Sequence, residues 1–316
     1  MKANDVEVTE VFFSVVSPVY LGEKTVRLLV EGIEREVRKL GKTYEIILVE
    51  DASPDNSWNE IQKIAEINSA VKGIKLSRNF GQHKAIAAGL KAGCGQWFVV
   101  MDCDLQDPPE DIGLLFRKSQ EGFDIVLGRR TVRQDTFLKR AFSKCFYALL
   151  SKLSGAKFDA SVANFGIYSK KVIQAINKMD EPIRFFPAMV KWVGFKSTAI
   201  SINHSERAEG KSSYSFRKLC NLGLDIVLAY SDLPLRIVAG VGLLLSFCSV
   251  ILTLLVVERA LTKGFSVVGY ASLVCLILFC TGLIVFILGM VGLYIGKIFE
   301  ATKNRPIYVE EERVNF

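Results

Sequence analysis

The most informative segment of the chain is WFVVMDCDLQDPPE, residues 97–110. The apolar run from Trp97 to Met101 leads directly into Asp102 and Asp104, which alternate on an extended segment. A buried strand that ends in two carboxylates is costly unless a cation compensates their charge. Oxygen ligands suit Mg²⁺ or Mn²⁺, and such ions keep open positions for diphosphate oxygens. The segment therefore predicts a divalent metal site held by Asp102 and Asp104 at the end of a strand.

On both sides of this segment, short apolar runs alternate with amphipathic stretches of helical period. The candidate strands are Phe12–Val19, Ile46–Val49, Ile74–Leu76, Trp97–Met101 and Ile125–Leu127, and the candidate helices are Lys24–Leu40, Ser57–Asn68, His83–Ala92 and Asp111–Gly122. This order predicts βαβ units and a mostly parallel α/β sheet. Ligands of such sheets bind beyond the carboxyl ends of the strands, so the residues after each strand are the candidates for chemistry.

The residues that follow the second and third predicted strands are polar. Asp51 could accept a hydrogen bond from a nucleobase, or it could cap the helix that begins near Asp55. Arg78 could pair with a carboxylate or a phosphate through its fork of donors. Together with the two aspartates, these residues predict a ligand site on one rim of the sheet.

Composition narrows the class of partner. The 316 residues carry a net charge of +7, which favours anionic partners such as phospholipid headgroups, lipid phosphate or nucleotide. Nucleic acid is disfavoured, because no dense basic stripe is interleaved with aromatic residues. The seven cysteines have no paired spacing, so they indicate neither a disulfide framework nor a zinc site and favour a reducing cytoplasm.

Two long uncharged runs lie near the C-terminus, Ile237–Val257 and Phe265–Gly296. As a helix the first would span about 31 Å, which matches the hydrocarbon core of a bilayer. The second is longer and would tilt or extend past the interface. Two buried helices of a soluble core are the alternative, but such helices seldom run so long without a polar residue. The short link Glu258–Gly264 predicts a hairpin, and the basic residues flanking its outer ends favour the cytoplasmic side for both.

These patterns predict a chain of four parts. They are a catalytic domain over 1–215, an amphipathic helix on the membrane surface over 216–235, two transmembrane helices within 236–296 at about 237–257 and 267–294, and a cytoplasmic tail over 297–316. An ordinary surface helix is the alternative for 216–235. Small residues in the two spans favour association into a homo-oligomer, namely Gly240, Gly242, Gly289 and Gly292.

An ordered set of motifs carries a family resemblance. The set consists of VVSPVY, VEDASPDNS, LSRNFGQHKAIAAGL and MDCDLQDPPE, followed by RFFPAMVKWVGF, RAEGKSSY and GLYIGKIFEATKNRPIYV. Over nearly the whole chain it resembles glycosyltransferase family 2, and within it the polyisoprenyl-phosphate branch of bactoprenol glucosyltransferases and dolichol-phosphate mannose synthases. The resemblance implies a GT-A (Rossmann-like) fold, inverting sugar transfer and a metal held through Asp104 with Asp102 nearby. It also implies nucleotide contacts from Pro18, Tyr20, Asp51, Arg78 and Asp102.

The chain departs from this family at Asn164, where many relatives have an aspartate as the catalytic base. If the acceptor were a sugar hydroxyl, losing that base would cost on the order of 10²–10⁴ in rate. A phosphate monoester is already largely a dianion at neutral pH and needs no base. The substitution therefore fits a lipid-phosphate acceptor that Asn164 orients, with a weakened enzyme as the alternative. In the first loop, Leu21 and Gly22 replace the usual Asn-Glu.

An anionic acceptor requires cationic guides. Arg207 and Lys211 lie in a polar loop and could clamp the lipid phosphate or the donor diphosphate. Arg140 and Lys144 are four residues apart on a predicted helix, so they share a face that turns either to the acceptor or to solvent. Arg129, after the fifth strand, is a further candidate.

The sequence thus predicts an integral membrane glycosyltransferase of the bacterial inner membrane, with a cytoplasmic catalytic domain. It would move a sugar from a nucleotide sugar, UDP-linked by resemblance, to undecaprenyl or another polyisoprenyl phosphate. The product would serve cell-surface glycan modification such as lipopolysaccharide or O-antigen assembly. A processive polysaccharide synthase is disfavoured, because no QxxRW motif occurs and two spans are few. A catalytically weakened membrane scaffold has Asn164 as its only support.

Overall fold

The computed structural model describes residues 10–130, 162–179, 184–202 and 269–316, with isolated positions between 235 and 262. The predicted acceptor ligands Arg140, Lys144, Arg207 and Lys211 lie outside the described residues, as does the predicted surface helix over 216–235 apart from its last residue.

A mixed sheet forms the framework of the described catalytic part. Its strands are β1 (Phe13–Val19), β2 (Tyr44–Glu50), β3 (Val71–Leu76), β4 (Trp97–Val100), β5 (Ile125–Arg130), β6 (Val162–Ser169), β7 (Ser197–Ile202) and β8 (Glu310–Val314). Their order across the sheet is β7-β5-β6-β4-β1-β2-β3-β8. The strands β6 and β8 run opposite to the other six. The predicted α/β fold with a mostly parallel sheet is confirmed.

Helices cover both faces of this sheet. They are α1 (Val26–Lys39), α2 (Ser57–Ile67), α3 (Gln82–Ala92), α4 (Ile112–Ser119), α5 (Lys170–Asn177) and α6 (Phe186–Trp192). One apolar cluster joins the sheet to α1, α2 and α4, and a second joins it to α3, α5 and α6. Neighbouring strand residues such as Val15 and Val16 enter opposite clusters, because side chains alternate along a strand. Burial on both faces explains why β1, β2 and β4 are largely apolar along their length.

The charged segment EEERV, residues 310–314, forms the edge strand β8 against β3. Sequence analysis had assigned 297–316 to a tail separate from the catalytic domain. Residues 305–316 instead belong to the same compact unit as the sheet. An edge strand keeps much of its surface in solvent, so its charged residues gave no apolar signal.

The C-terminal apolar region contains the long helix α7 (Tyr270–Thr302), which has 33 residues. Within the described residues, one segment is long and apolar enough to cross a membrane, Phe279–Thr302, with a mean hydropathy of 2.2. The helix itself continues past residue 294 to Thr302, and the predicted ends of the membrane span stay a prediction. Every described position from 235 to 262 is also helical. The two-helix hairpin itself stays a prediction.

Candidate active site

The sheet brings most of the described candidate residues to one edge. The parallel strands β1 to β4 end there, followed by Tyr20, Asp51, Arg78 and Asp102, and Pro18 lies buried near the end of β1. In the antiparallel pair β4–β6, Val100 lies opposite Gly166. Continuing this register by two residues sets Asp102 opposite Asn164, on the same face of the sheet. Arg129 lies at the end of β5 on the same edge and is exposed. The predicted convergence thus extends to Asn164, although these residues lie far apart in sequence.

The two aspartates after β4 are both half-buried, whereas Cys103 between them is buried. The side-chain amide of Gln82 donates a hydrogen bond of 2.6 Å to Asp102 Oδ1. The backbone N–H of Gln106 donates to Asp104 Oδ1 at 3.2 Å. Gln82 was not among the predicted site residues, because its partner Asp102 lies twenty positions later in the chain, in the loop after β4. It is the first residue of α3 and orients one carboxylate of the pair.

Cys103 anchors this loop in the core. Burial raises the pKa of its thiol to about 12, against a hydrogen bond from the Tyr20 backbone, so the group is a neutral packing residue. A Cβ on Gly22 would lie 3.4 Å from the Cys103 sulfur and only 2.7 Å from Val19 Cγ1. The loops after β1 and β4 are therefore packed directly against each other.

The aspartate pair fits a divalent cation of the Mg²⁺ or Mn²⁺ type. Such ions commonly take one or two protein carboxylates and complete their shell with water and substrate phosphates. Within the described part of the chain, no group of three or more His, Cys, Asp or Glu side chains is placed to hold a metal ion. Two half-buried carboxylates agree with a site in which the protein supplies one or two metal ligands and the phosphates of the substrate supply others.

The loop after β2 holds the loop after β1 through three alternate side chains. Consecutive backbone N–H groups of the first loop donate to Ser53 Oγ (2.8 Å, from Leu21), Ser57 Oγ (3.0 Å, from Gly22) and Asp55 Oδ2 (3.0 Å, from Glu23). Burial favours a higher pKa for Asp55, but hydrogen bonds from Ser53, Ser57 and the Glu23 backbone outweigh it and lower the pKa. The segment SPDNS thus fixes the backbone of a loop that lacks the family's usual Asn-Glu.

Three residues other than glycine adopt positive φ values in the loops of this edge. They are Leu21 (φ 56°), Ala52 (φ 48°) and Leu105 (φ 58°), which follow β1, β2 and β4 respectively. Such backbone costs energy and persists where the surrounding structure determines it. The hydrogen bonds to Leu21 and its neighbours supply that determination for the loop after β1.

Asp51 has a role that the sequence did not predict. It is only 3% exposed, and its two carboxylate oxygens accept hydrogen bonds from the backbone N–H groups of Phe80 (2.7 Å) and Gly81 (2.8 Å). Burial raises its pKa, while these two bonds and nearby Lys84 oppose the rise. Asp51 thus shapes the loop between β3 and α3, and a nucleobase would have to share its remaining lone pairs.

The same loop presents Arg78 and Phe80 to the edge. The Arg78 guanidinium lies 4.5 Å from the centre of the Phe80 ring, which is a cation–π distance. Arg78 is exposed, and Tyr20 on the neighbouring loop is 44% exposed. An arginine held over a ring and an exposed tyrosine offer a cation and a flat surface to a nucleotide.

Two further aromatic residues lie outside this edge or take no part in it. Trp192 is 69% exposed, and it leads into the start of β7, at the sheet edge opposite the aspartates. His83 lies edge-on to Phe185 with ring centres 4.9 Å apart, and burial lowers its pKa to about 4, so it is a neutral packing residue.

A mostly parallel sheet with a DxD pair at its carboxyl edge and strain in the surrounding loops is the arrangement of a GT-A glycosyltransferase. The model of Glycosyl transferase family 2 matches residues 14–177, which is more than half of the chain. The protein belongs to this family and is a glycosyltransferase.

Similar proteins extend this match along the chain. An uncharacterised glycosyltransferase of Synechocystis sp. is 34% identical, over 94% of this chain and 93% of its own. The undecaprenyl-phosphate 4-deoxy-4-formamido-L-arabinose transferase of Proteus mirabilis is 33% identical, over 93% of this chain and 91% of its own. Among solved structures, the glucosyl-3-phosphoglycerate synthase of Mycobacterium tuberculosis, in complex with Mn²⁺, UDP and phosphoglyceric acid, is 15% identical with a TM-score of 0.48, over 69% of this chain and 76% of that one.

Proposed function

We propose that this protein transfers a single sugar, with inversion, from a nucleotide sugar to a polyisoprenyl phosphate at the cytoplasmic face of a membrane. The observation that carries the proposal is the position of Asn164, a residue without a basic group, on the strand paired with β4. The Val100–Gly166 register, continued by two residues, sets it across the sheet edge from Asp102. Similarity to the Proteus enzyme, whose name specifies undecaprenyl phosphate, supports the acceptor class. The apolar helix Phe279–Thr302 supplies a means of reaching a lipid substrate.

The donor nucleotide would bind over the loops that follow β1, β2 and β3. Tyr20 and the Phe80–Arg78 pair offer a ring surface and a cation. Asp51 holds the loop after β3 through its backbone, and Pro18 is buried in β1 just before the first loop. Uridine is the favoured base, on resemblance. Because Asp51 is already engaged with two amides, its part in binding the base is chiefly to hold the loop in shape.

Asp102 and Asp104 would hold the metal, with Gln82 fixing the orientation of Asp102. A bound Mg²⁺ or Mn²⁺ would neutralise the negative charge that grows on the departing nucleoside diphosphate. The hydrogen bond of Asp104 Oδ1 to the Gln106 backbone keeps that carboxylate aimed toward the same edge. Leu105, which lies between Asp104 and Gln106, has a positive φ and forms part of the turn that this hydrogen bond spans.

At the acceptor end, one oxygen of the lipid phosphate would attack the anomeric carbon of the sugar. A new C1–O–P bond forms as the bond from C1 to the nucleoside diphosphate breaks, and the configuration at C1 inverts. The attacking oxygen carries no proton at neutral pH, so no base is needed. The Asn164 amide would donate a hydrogen bond to another phosphate oxygen. Arg129, at the end of β5 on this edge, would help to attract the anion, and Arg140, Lys144, Arg207 and Lys211 remain proposed partners.

The test is to incubate the full-length purified protein with Mn²⁺ or Mg²⁺, a panel of UDP- and GDP-sugars and a short polyprenyl phosphate. Mass spectrometry should show one hexose or modified sugar added to the lipid and a nucleoside diphosphate released. Products carrying several sugars would favour a processive synthase, and absence of transfer from every donor would favour a scaffold. Polyprenyl alcohol of the same length is the matched acceptor control and should stay unmodified, because its hydroxyl requires a base.

A further inference from the structure

The chain returns to the catalytic sheet after the long apolar helix α7. Seven residues, 303–309, separate the end of α7 from β8, which then pairs antiparallel with β3. Leu76, the last residue of β3, lies opposite Glu310, and the next N–H, that of Ser77, donates to the carbonyl of Val309 at 3.0 Å. Ser77 opens the loop that ends at Gly81 and carries Arg78 and Phe80. The C-terminal segment therefore holds this loop, the donor-side loop, at its first residue.

Specific side-chain contacts fix β8 along its length. Glu312 accepts hydrogen bonds from Trp58 Nε1 and Gln62 Nε2, each at 2.9 Å. Beyond the strand, the Asn315 amide donates to carbonyls of Ala65 (2.6 Å) and Val71 (2.9 Å). These contacts are spread over α2 and the start of β3, so they determine the register of β8 independently of the loop it meets.

Tyr308 lies just before β8, at the end of the strand that is next to the start of the donor-side loop. Its half-buried side chain packs against the same apolar cluster as Phe80. Burial raises the pKa of its hydroxyl, and the nearby cations Arg313 and Arg184 oppose the rise. Arg184 is buried and donates to the carbonyl of Met179, so Tyr308 also lies near the segment that leads into α6.

We propose that Tyr308 and the Val309 carbonyl are positioning groups for the donor-side loop Ser77–Gly81. The segment after the apolar helix would then complete the nucleotide site. Asp51 holds the far end of this loop at Phe80 and Gly81, and the C-terminal segment holds the near end at Ser77. Arg78 lies between these two attachments, and Phe80 lies at the second. The inference rests on the proposed function only in assigning this loop to the donor nucleotide.

The experiment compares the full-length protein with the variants Tyr308→Ala and Tyr308→Phe. With Mn²⁺ present, the Kd for UDP and for GDP is measured by calorimetry, and the donor KM and kcat are measured where transfer is observed. In Tyr308→Ala the Kd of the preferred nucleotide and the donor KM should rise about tenfold, with kcat changed less than about threefold. Tyr308→Phe keeps the ring and should restore most of the affinity. Peptides covering residues 77–81 should exchange amide hydrogens faster in Tyr308→Ala.

Glu312→Ala is the matched control, because it removes two hydrogen bonds from the middle of the same strand. It should lower the unfolding temperature and leave the nucleotide Kd within about twofold of the parent. The inference is overturned if Tyr308→Ala binds nucleotide as the parent does, or if Glu312→Ala weakens binding equally. A parent protein that binds UDP or GDP yet transfers no sugar to lipid phosphate would refute the proposed function instead, and the Kd comparison would still decide the inference.

Discussion

Asp51 and Asp102 occupy similar places, directly after β2 and two residues beyond the end of β4, at the same edge of the sheet, yet their surroundings differ. Asp51 is buried, and both of its oxygens accept backbone N–H bonds from the neighbouring loop. Asp102 is half-buried beside Asp104, and a side-chain amide orients it. A carboxylate surrounded by backbone amides organises the chain, whereas one left partly in solvent can meet a cation. The same residue type thus stabilises the loop after β3 in one place and is available to bind a metal ion in the other.

The largest effect is expected at the metal side. Asp104→Ala should lower sugar transfer about 10³-fold, because the charge that develops on the leaving diphosphate loses its stabilisation. The unfolding temperature should stay within a few degrees of the parent, since the side chain is half-exposed. Initial rates and calorimetric scans measure the two quantities. Glu121→Ala removes the same charge from an exposed position and should change neither; a rate close to the parent's in Asp104→Ala would refute the metal assignment.

Replacing Asn164 by aspartate tests the acceptor. Against a phosphate dianion a new carboxylate beside Asp102 is repulsive, so kcat/KM for the lipid phosphate should fall at least about tenfold. Against a hydroxyl acceptor the same change would supply a base and raise the rate. Asn164→Ala, which adds no charge, should lose less than Asn164→Asp with lipid phosphate. Faster turnover in Asn164→Asp would point to a hydroxyl nucleophile.

Asp51→Ala should act mainly on stability, in contrast to Asp104→Ala. It leaves the amides of Phe80 and Gly81 without their acceptor, which costs about 2 kcal/mol. For a domain of this size the unfolding temperature should fall by about 4–8 °C. The donor KM should rise because the loop that carries Arg78 loosens. Asp51→Asn keeps one acceptor oxygen, so its unfolding temperature should lie between those of the parent and Asp51→Ala. An unchanged unfolding temperature in Asp51→Ala would show that the loop is held by other means.

The smallest effect concerns Glu50, which is 1% exposed and precedes Asp51. Burial raises its pKa, against hydrogen bonds from the Ser53 and Ala52 backbone and the charge of Lys75. A carboxyl with a raised folded-state pKa binds more protons folded than unfolded, so its contribution to stability falls as pH rises above the ordinary value near 4.5. In Glu50→Gln that dependence is absent. The unfolding temperature of the variant relative to the parent should therefore increase from pH 5 to pH 7, and a difference that is flat with pH would contradict the assignment.

The parts predicted well share one physical basis. Strands β1, β2 and β4 are apolar and buried on both faces, so burial alone reveals them and places the aspartates after β4. The edge strand β8 could not be found this way, because EEERV is held by pairing with β3 and by partners about 250 positions away, such as Trp58 for Glu312. Its signal lies in contacts and not in composition.

The site shows the same limit. Residue type and position predicted Asp102 and Asp104, but the partners that shape their surroundings belong to other loops. Gln82 has no distinctive motif, and the bond of Asp51 to two amides depends on where the chain runs 29 and 30 residues later. Trp192 is a further example, because a large aromatic in an apolar motif is usually packed, whereas this one is exposed.

The position of β8 has a consequence for biosynthesis. Residues 310–314 are translated after the apolar helix Tyr270–Thr302, so the outer edge of β3 has no neighbour while the ribosome makes the intervening polypeptide. An open strand edge can pair with another nascent chain and aggregate. The strand β3 therefore gains its outer neighbour only after the hydrophobic helix has emerged, which couples maturation of the enzyme to the handling of that helix by the cell.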